Sequence, residues 1–337
     1  MHVVLILNPT SGISTVAAPH LSPEETREAI LAALRAHDIE PEIRYTSPED
    51  TGQGVARQAA TNHADMVIAV GGDGTIHAVA SGLVGTPSVL GIIPTGTMNN
   101  VAHSLGIPET IDAACEVIAR GHTHAIDVGK INEHIFLEAA GIGLEAALFP
   151  AGEEIKSPGL LTTIRGVIGG LRTLFSFQSP ELRIAIDEKR RHPYKALQVT
   201  ICNTPFYGPH FQIASHILMD DGLLDVVIYK NFSKLEYIRH AVSITQGKRL
   251  LEPKARHRRA RSVRITADHP VEIQADGVPR GYTPATVTIM PGALHVCVPA
   301  SPVPGLSNEQ QHLIESRARV ASRRKEPLAT RSDSHGR

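Results

Sequence analysis

Ile68-Ala69-Val70-Gly71-Gly72-Asp73-Gly74-Thr75-Ile76 is the stretch whose reading decides the fold. A run of core-type residues ends in a glycine cluster, and a helical pattern starts at once. Glycine tolerates positive φ and lets the backbone approach a ligand closely. The helix that follows offers unpaired N–H groups and a positive dipole end, which together suit phosphate. Asp73 is an acid at an end that otherwise attracts anions. A carboxylate there makes sense if it holds Mg²⁺, or orients a Mg-bound water, beside phosphates. The plain alternative is that Asp73 and Thr75 cap a helix after an ordinary strand–turn–helix. The pattern is neither the dinucleotide GxGxxG nor Walker A, since no GKS or GKT follows.

Two more turns of the same kind lie to either side. Gly91-Ile92-Ile93-Pro94-Thr95-Gly96-Thr97-Met98-Asn99-Asn100 runs again from strand to glycine to helix, and Asn8-Pro9-Thr10-Ser11-Gly12 ends an apolar run at Val3–Leu7. Further strands are expected over Glu42–Tyr45, Met66–Val70 and Val89–Ile93. Helices are expected over Pro23–Ala36, Gly54–Asn62, Ile76–Leu83, Met98–Leu105 and Ile111–Arg120. Alternating β and α units argue for a parallel sheet covered on both faces, with ligands at the carboxyl ends of its strands. Three polar glycine turns would then converge on one sheet edge.

After about His124 the pattern changes. Ala125–Ile131, Ile135–Ala139, Leu182–Ile186, Ala196–Cys202, Leu224–Tyr229, Ser262–Ala267, Val271–Ala275 and Leu294–Val298 are strand-like, and helices become scarce. This predicts a second, mainly antiparallel domain, a β-sandwich. The exception is Leu160–Phe175, whose apolar residues share one helical face while Arg165 and Arg172 lie opposite. The expected division is 1–125, 126–305 and a charged, disordered tail over 306–337.

The composition is that of a globular protein: 337 residues, 42% hydrophobic, 20% charged, with 33 basic against 34 acidic side chains. Near-neutral charge gives no field pointing to nucleic acid. Cys115, Cys202 and Cys297 are far apart and, with no signal peptide in view, read as reduced thiols in a cytoplasmic protein. No window carries the ~18 apolar residues of a membrane span. A lipid substrate would therefore be met from the water side.

NPTSG (8–12), GGDGT (71–75) and GIIPTGTMNNVAHSLGIP (91–108), in this order, resemble the diacylglycerol-kinase catalytic family, which includes bacterial lipid kinases and sphingosine and ceramide kinases, with NAD kinases more distant. The likeness continues through residues 125–148, 203–229 and 271–299. It implies an N-terminal Rossmann-like domain, a C-terminal β-sandwich, and a nucleotide site in the cleft between them. It also implies ATP and Mg²⁺ as cofactors, a lipid substrate at the inner membrane surface, and homodimers, which related proteins often form. The nucleotide residues it implies are Asn8, Thr46, Gly71, Gly72, Asp73, Gly74, Thr75, Thr97 and Asn99. The DDGLLD segment matches a Mg²⁺ site made by the Asp221 carboxylate and the carbonyls of Leu218 and Leu223. The plain alternative for that segment is a tight turn, with which a metal loop is compatible.

The family's late Asp-Gly-Glu triplet, whose acids activate the lipid hydroxyl, is Asp276-Gly277-Val278 here. Asp276 and Asp73 are thus the expected catalytic acids. Other departures accompany the lost glutamate. Asn99-Asn100 replaces the usual Asn-Asp, and His77-Ala78 replaces Asn-Glu. Each removes an acid, so an active lipid kinase with shifted roles competes with a nucleotide binder of weak or no activity, and with an NAD kinase. Two features bear on a membrane. Lys248, Arg249, Lys254, Arg256, Arg258, Arg259, Arg261 and Arg264 form a basic cluster that suits anionic headgroups or is a solvated loop. The helix Leu160–Phe175 lines a lipid cleft or covers the sheet.

Overall fold

The computed structural model describes residues 1–9, 22–156, 160–189, 192–207, 211–212, 217–230, 233–245 and 255–300. The N-terminal elements are β1 (Val3–Leu7), α1 (Pro23–Arg35), β2 (Glu42–Tyr45), α2 (Gln53–Thr61), β3 (Met66–Gly71), α3 (Asp73–Leu83), β4 (Val89–Pro94), α4 (Asn100–Leu105) and α5 (Ile111–Ala119). The four strands are parallel in the order β2-β1-β3-β4, with Leu5 opposite Ile43 on one side and Ile68 on the other. β1 and β3 are buried along their whole length, as a sheet covered on both faces requires. Ser22 and Glu25 form a reciprocal capping box that starts α1.

The remainder comprises β5 (Thr123–Ile131), β6 (His134–Phe136), β7 (Ala139–Gly143), α6 (Leu144–Lys156), α7 (Leu160–Ser176), β8 (Glu181–Ile186), β9 (His192–Cys202), β10 (Phe206–Tyr207), β11 (Phe211–Gln212), β12 (Leu224–Lys230), α8 (Lys234–Thr245), β13 (Ala255–Ala260), β14 (Ser262–Ala267), β15 (Glu272–Ala275), β16 (Val278–Tyr282) and β17 (Ala285–Cys297). Their pairings are antiparallel, through β14-β8-β9-β7-β15-β16, with β12 on β9 and β13 beyond it.

One strand belongs to both halves. The first part of β17 pairs antiparallel with β14, and after an irregularity between Met290 and Leu294 its end runs parallel to β4. Val287 accordingly packs in the C-terminal core, and Leu294, Val296 and Cys297 in the N-terminal one. β5 runs beside β17 and is shared in the same way, through Ile126 and Ile131. The expected boundary at 125/126 thus falls inside a strand.

Helices are less scarce here than the sequence pattern predicts. α6 contains Pro150 and Gly152, which read as helix breakers. α8 follows a second reciprocal cap between Ser233 and Glu236. Arg256, Arg258 and Arg259 belong not to a loop but to β13, a strand paired on one side only, where charge blocks pairing with another chain. Lys248, Arg249, Lys254 and the tail over 306–337 lie outside the described residues, as do Thr10, Ser11 and Gly12.

Candidate functional site

The turns leaving β3 and β4 are locked together by absence of side chains. A Cβ on Gly71 would stand 2.5 Å from the Thr75 Cβ, and one on Gly96 would stand 2.4 Å from the Gly72 Cα. Thr95 N–H donates to the Gly71 carbonyl at 3.0 Å. Asn99, at φ 51°, closes the second turn by bonding Gly96 through both its amide groups. The Asp73 carboxylate reaches across to the start of α4, where Val101 N–H donates at 3.2 Å and the N–H groups of Asn100 and Asn99 add to it. Asp73 therefore ties one turn to the other.

No side chain caps α3 at Gly72, so its first N–H groups are left for a ligand. Asn8, from the end of β1, donates to the Thr75 hydroxyl at 3.4 Å. Thr46 is buried at the end of β2, with its N–H on the Leu7 carbonyl. Gly74 and Thr97 are exposed at the two turns. A cleft of about 350 Å³ opens at the carboxyl ends of β1 to β4, lined by residues that include Asn8, Thr26, Arg27, Tyr45, Val70 and Thr95. Open helix N–H groups, glycines no Cβ can replace and a cleft of ligand size fit a phosphate-bearing molecule.

Three acids converge beside α3. Asp276 sits in the β15–β16 turn at φ 45°, and its carboxylate is encircled. Leu137 N–H donates to Oδ2 at 2.6 Å, while Glu138 and Ala139 donate to Oδ1 at 2.9 and 3.0 Å. The fourth partner is His77 Nδ1, 2.9 Å from Oδ2. Glu138 itself is buried and accepts from the Asn100 side-chain amide at 2.9 Å. Burial pushes the Glu138 carboxyl well above the usual carboxylate range, and the charges of Asp73 and Asp276 push it further. Burial also raises Asp73; the backbone donors of α4 oppose that rise and the Asp276 charge adds to it. Glu138 thus brings a carboxyl group against Asn100, and the residue at 77 faces Asp276.

The loop before β12 is organised differently from the implied metal site. The Asp221 Oδ1 accepts the Leu223 N–H at 3.0 Å, and Oδ2 is ion-paired with Arg259, whose Nε lies 3.6 Å from Asp225. Asp220 pairs with His124 at 2.8 Å, and the Asp127 carboxylate takes the N–H groups of Gly222 and Gly292. A guanidinium stands where a cation is expected. This donor set does not fit Mg²⁺ bound at Asp221, Leu218 and Leu223, because the one carboxylate already has its counter-charge.

Residues 2–131 match the family model for the diacylglycerol kinase catalytic domain, and residues 141–298 match that for the YegS C-terminal NAD kinase beta sandwich-like domain. Residues 2–131 are thus a diacylglycerol kinase catalytic domain, and the chain is a kinase of diacylglycerol kinase-like type. It is 28% identical over 300 residues to a diacylglycerol kinase of Bacillus subtilis (strain 168), covering 88% of this chain and 95% of the relative. The fold is that of a crystal structure of a Bacillus anthracis str. Sterne diacylglycerol kinase, with TM-score 0.68, 22% identity and 91% and 98% of the two chains covered. It is also that of an NAD kinase from Archaeoglobus fulgidus solved with ATP, at TM-score 0.50, 10% identity and 95% and 99% coverage.

Neither Glu138 nor Arg259 is visible as a functional residue in the sequence. Glu138 lies in an apolar run and meets Asn100 only through the fold. Arg259 is one basic residue among many, singled out by the register that places it opposite Asp225.

Proposed function

We propose that this chain transfers the γ-phosphate of ATP to the hydroxyl of a lipid, diacylglycerol or a similar molecule, working from the cytoplasmic side of a membrane. The observation that carries the lipid half of this reading is α7. Its Ile164, Val167, Ile168, Leu171 and Phe175 are exposed by 45, 45, 61, 47 and 57%. Leu235, at the start of α8, is 68% exposed. These α7 positions recur at helical spacing, so they form one apolar face in water, with Arg165 and Arg172 also exposed. An exposed apolar face of this kind on a monomer marks an interaction surface. A helix with apolar and basic faces is suited to the boundary of headgroups and acyl chains. A kinase acting on a soluble dinucleotide has no use for it. No described helix is long and apolar enough to cross a membrane.

In this reading the residues divide the work. The N-terminus of α3 and the glycine turns receive the triphosphate, and Asn8 holds Thr75 in place. Asp73 keeps the β3 and β4 turns in register. Mg²⁺, if brought in with the nucleotide, would neutralise charge on the phosphate oxygens. Asp276, with Glu138 and Asn100 behind it, stands beside α3, and the acceptor hydroxyl is positioned on that side.

The test is vesicle binding. Wild-type protein is expected to sediment with vesicles containing phosphatidylglycerol and diacylglycerol. The Ile168→Glu/Phe175→Glu variant is expected to stay in solution while its ATP-linked thermal shift is kept. Equal sedimentation of the two proteins would remove α7 as the lipid-facing surface.

A further inference from the structure

Resting on the kinase reading above, we propose that His77 is the proton acceptor for the lipid hydroxyl and that Asp276 is its positioning residue. The expected base was Asp276, but four donors fill its carboxylate: the N–H groups of Leu137, Glu138 and Ala139, and His77 Nδ1. An ionised carboxylate has about four acceptor sites. Taking a substrate proton would break backbone hydrogen bonds in a buried turn, each orphaned group costing about 1–3 kcal/mol.

His77 has the opposite properties. A carboxylate only accepts, so the hydrogen between the two groups sits on Nδ1, and Nε2 of the neutral ring carries the lone pair. Among the described residues Nε2 has no hydrogen-bond partner. The His77 side chain is 15% exposed against 6% for Asp276, so the ring is the more solvent-accessible member of the pair. His77 stands four residues after Asp73 on α3, which puts both on one face of the helix. That face carries the Asp73 carboxylate to the two glycine turns where the phosphates are received. Val278, where the resembling family has an acid, is 44% exposed and has no basic atom. The ring supplies the function that this position lacks.

The step balances without any further reactant. Nε2 takes the hydroxyl proton as the hydroxyl oxygen bonds to the γ-phosphorus and the bond from that phosphorus to its bridging oxygen breaks. ADP leaves, and the imidazolium returns its proton to water. The Asp276 carboxylate, 2.9 Å from Nδ1, stabilises the positive charge that forms on the ring.

Phosphate transfer from ATP to vesicle-borne diacylglycerol decides the matter, measured for wild type, His77→Asn, Asp276→Asn and the double variant. Asparagine keeps a donor near the Nδ1 position and has no base in place of Nε2. His77→Asn is expected to lower kcat about 10²–10⁴-fold, with the KM for ATP and the melting temperature unchanged. In that background Asp276→Asn is expected to lower kcat no further, because both residues act through one group. A His77→Asn kcat within about threefold of wild type, or losses that multiply in the double variant, would overturn the assignment. If Asp276→Asn fails to fold, as its melting curve would show, the His77→Asn comparison decides alone. Wild-type protein that labels no lipid would sink the kinase reading and this step with it. Active wild type beside equally active His77→Asn would sink this step only.

Discussion

Gly96 and Gly72 meet backbone to backbone, so closely that a methyl group on Gly96 would lie 2.4 Å from the Gly72 Cα. This contact sets the spacing of the β3 and β4 turns. Gly96→Ala is expected to push them apart and cost about 1–3 kcal/mol, as overpacking of a closed site does. Gly74 is the internal control, because a Cβ there meets nothing within 4 Å. Thermal melts should show a clear drop and a lost ATP-linked shift for Gly96→Ala. Gly74→Ala should melt within roughly 0.5 kcal/mol of wild type. Equal melting of both variants would contradict the packing argument.

Asp73 joins the turns from the other side, through the N–H groups at the start of α4. Asp73→Ala is expected to remove the ATP·Mg²⁺-linked thermal shift and the transferase activity together. An unchanged shift would mean that the turns stay in register without it.

Glu138 carries a pH signature. Its carboxyl is raised in the folded protein by burial first and then by Asp73 and Asp276. The folded state therefore binds a proton that the unfolded chain has released once pH passes the ordinary carboxylate range. Stability is full below that range and falls as pH climbs toward the raised folded value. Glu138→Gln keeps an acceptor for Asn100 and removes the charge. It is expected to raise the melting temperature at pH 8 by about 2–4 °C, on the order of 1 kcal/mol, and to change it little at pH 4. A variant less stable than wild type at pH 8 would show that the ionised acid is already well compensated.

Arg259 predicts independence from metal for the loop it serves. Removing divalent cations with a chelator should leave the melting temperature of the nucleotide-free protein where it is. Arg259→Gln should lower it, through a loss of roughly 1 kcal/mol of stability, the scale of a partly exposed ion pair. The variant should then recover stability when Mg²⁺ is added, since Asp221 has lost its counter-charge. A chelator-sensitive wild type would restore the metal site that the sequence resemblance implies.

The parts of this molecule that could be read in advance are those whose signal is local. β1, β3 and β4 are short, mainly apolar runs that lead into polar, glycine-containing turns. The fold class follows from their alternation with helices. β13 was illegible because Ala255–Ala260 is an edge strand almost all of whose side chains face water, so it lacks a hydrophobic alternation. α8 had a legible start at Ser233 and Glu236, masked by the strand-rich context. Asp73 and Asp276 are legible as acids of the site, but their meeting with Glu138 and His77 is not. Asn100 and Glu138 are 38 residues apart, and His77 and Asp276 are 199 apart. From the sequence, Asn100 and His77 register only as lost acids. The fold turns one loss into an amide–acid pair and the other into an imidazole against a carboxylate.

The central claim is transfer to a lipid hydroxyl, and labelled γ-phosphate tests it most directly. Wild type and Asp73→Ala are each incubated with ATP·Mg²⁺, a mixed lipid extract and NAD, and the organic and aqueous phases are counted separately. The account predicts a labelled lipid in the organic phase with wild type and none with Asp73→Ala. Label confined to aqueous NADP, or no transfer despite an ATP-linked thermal shift, would contradict it.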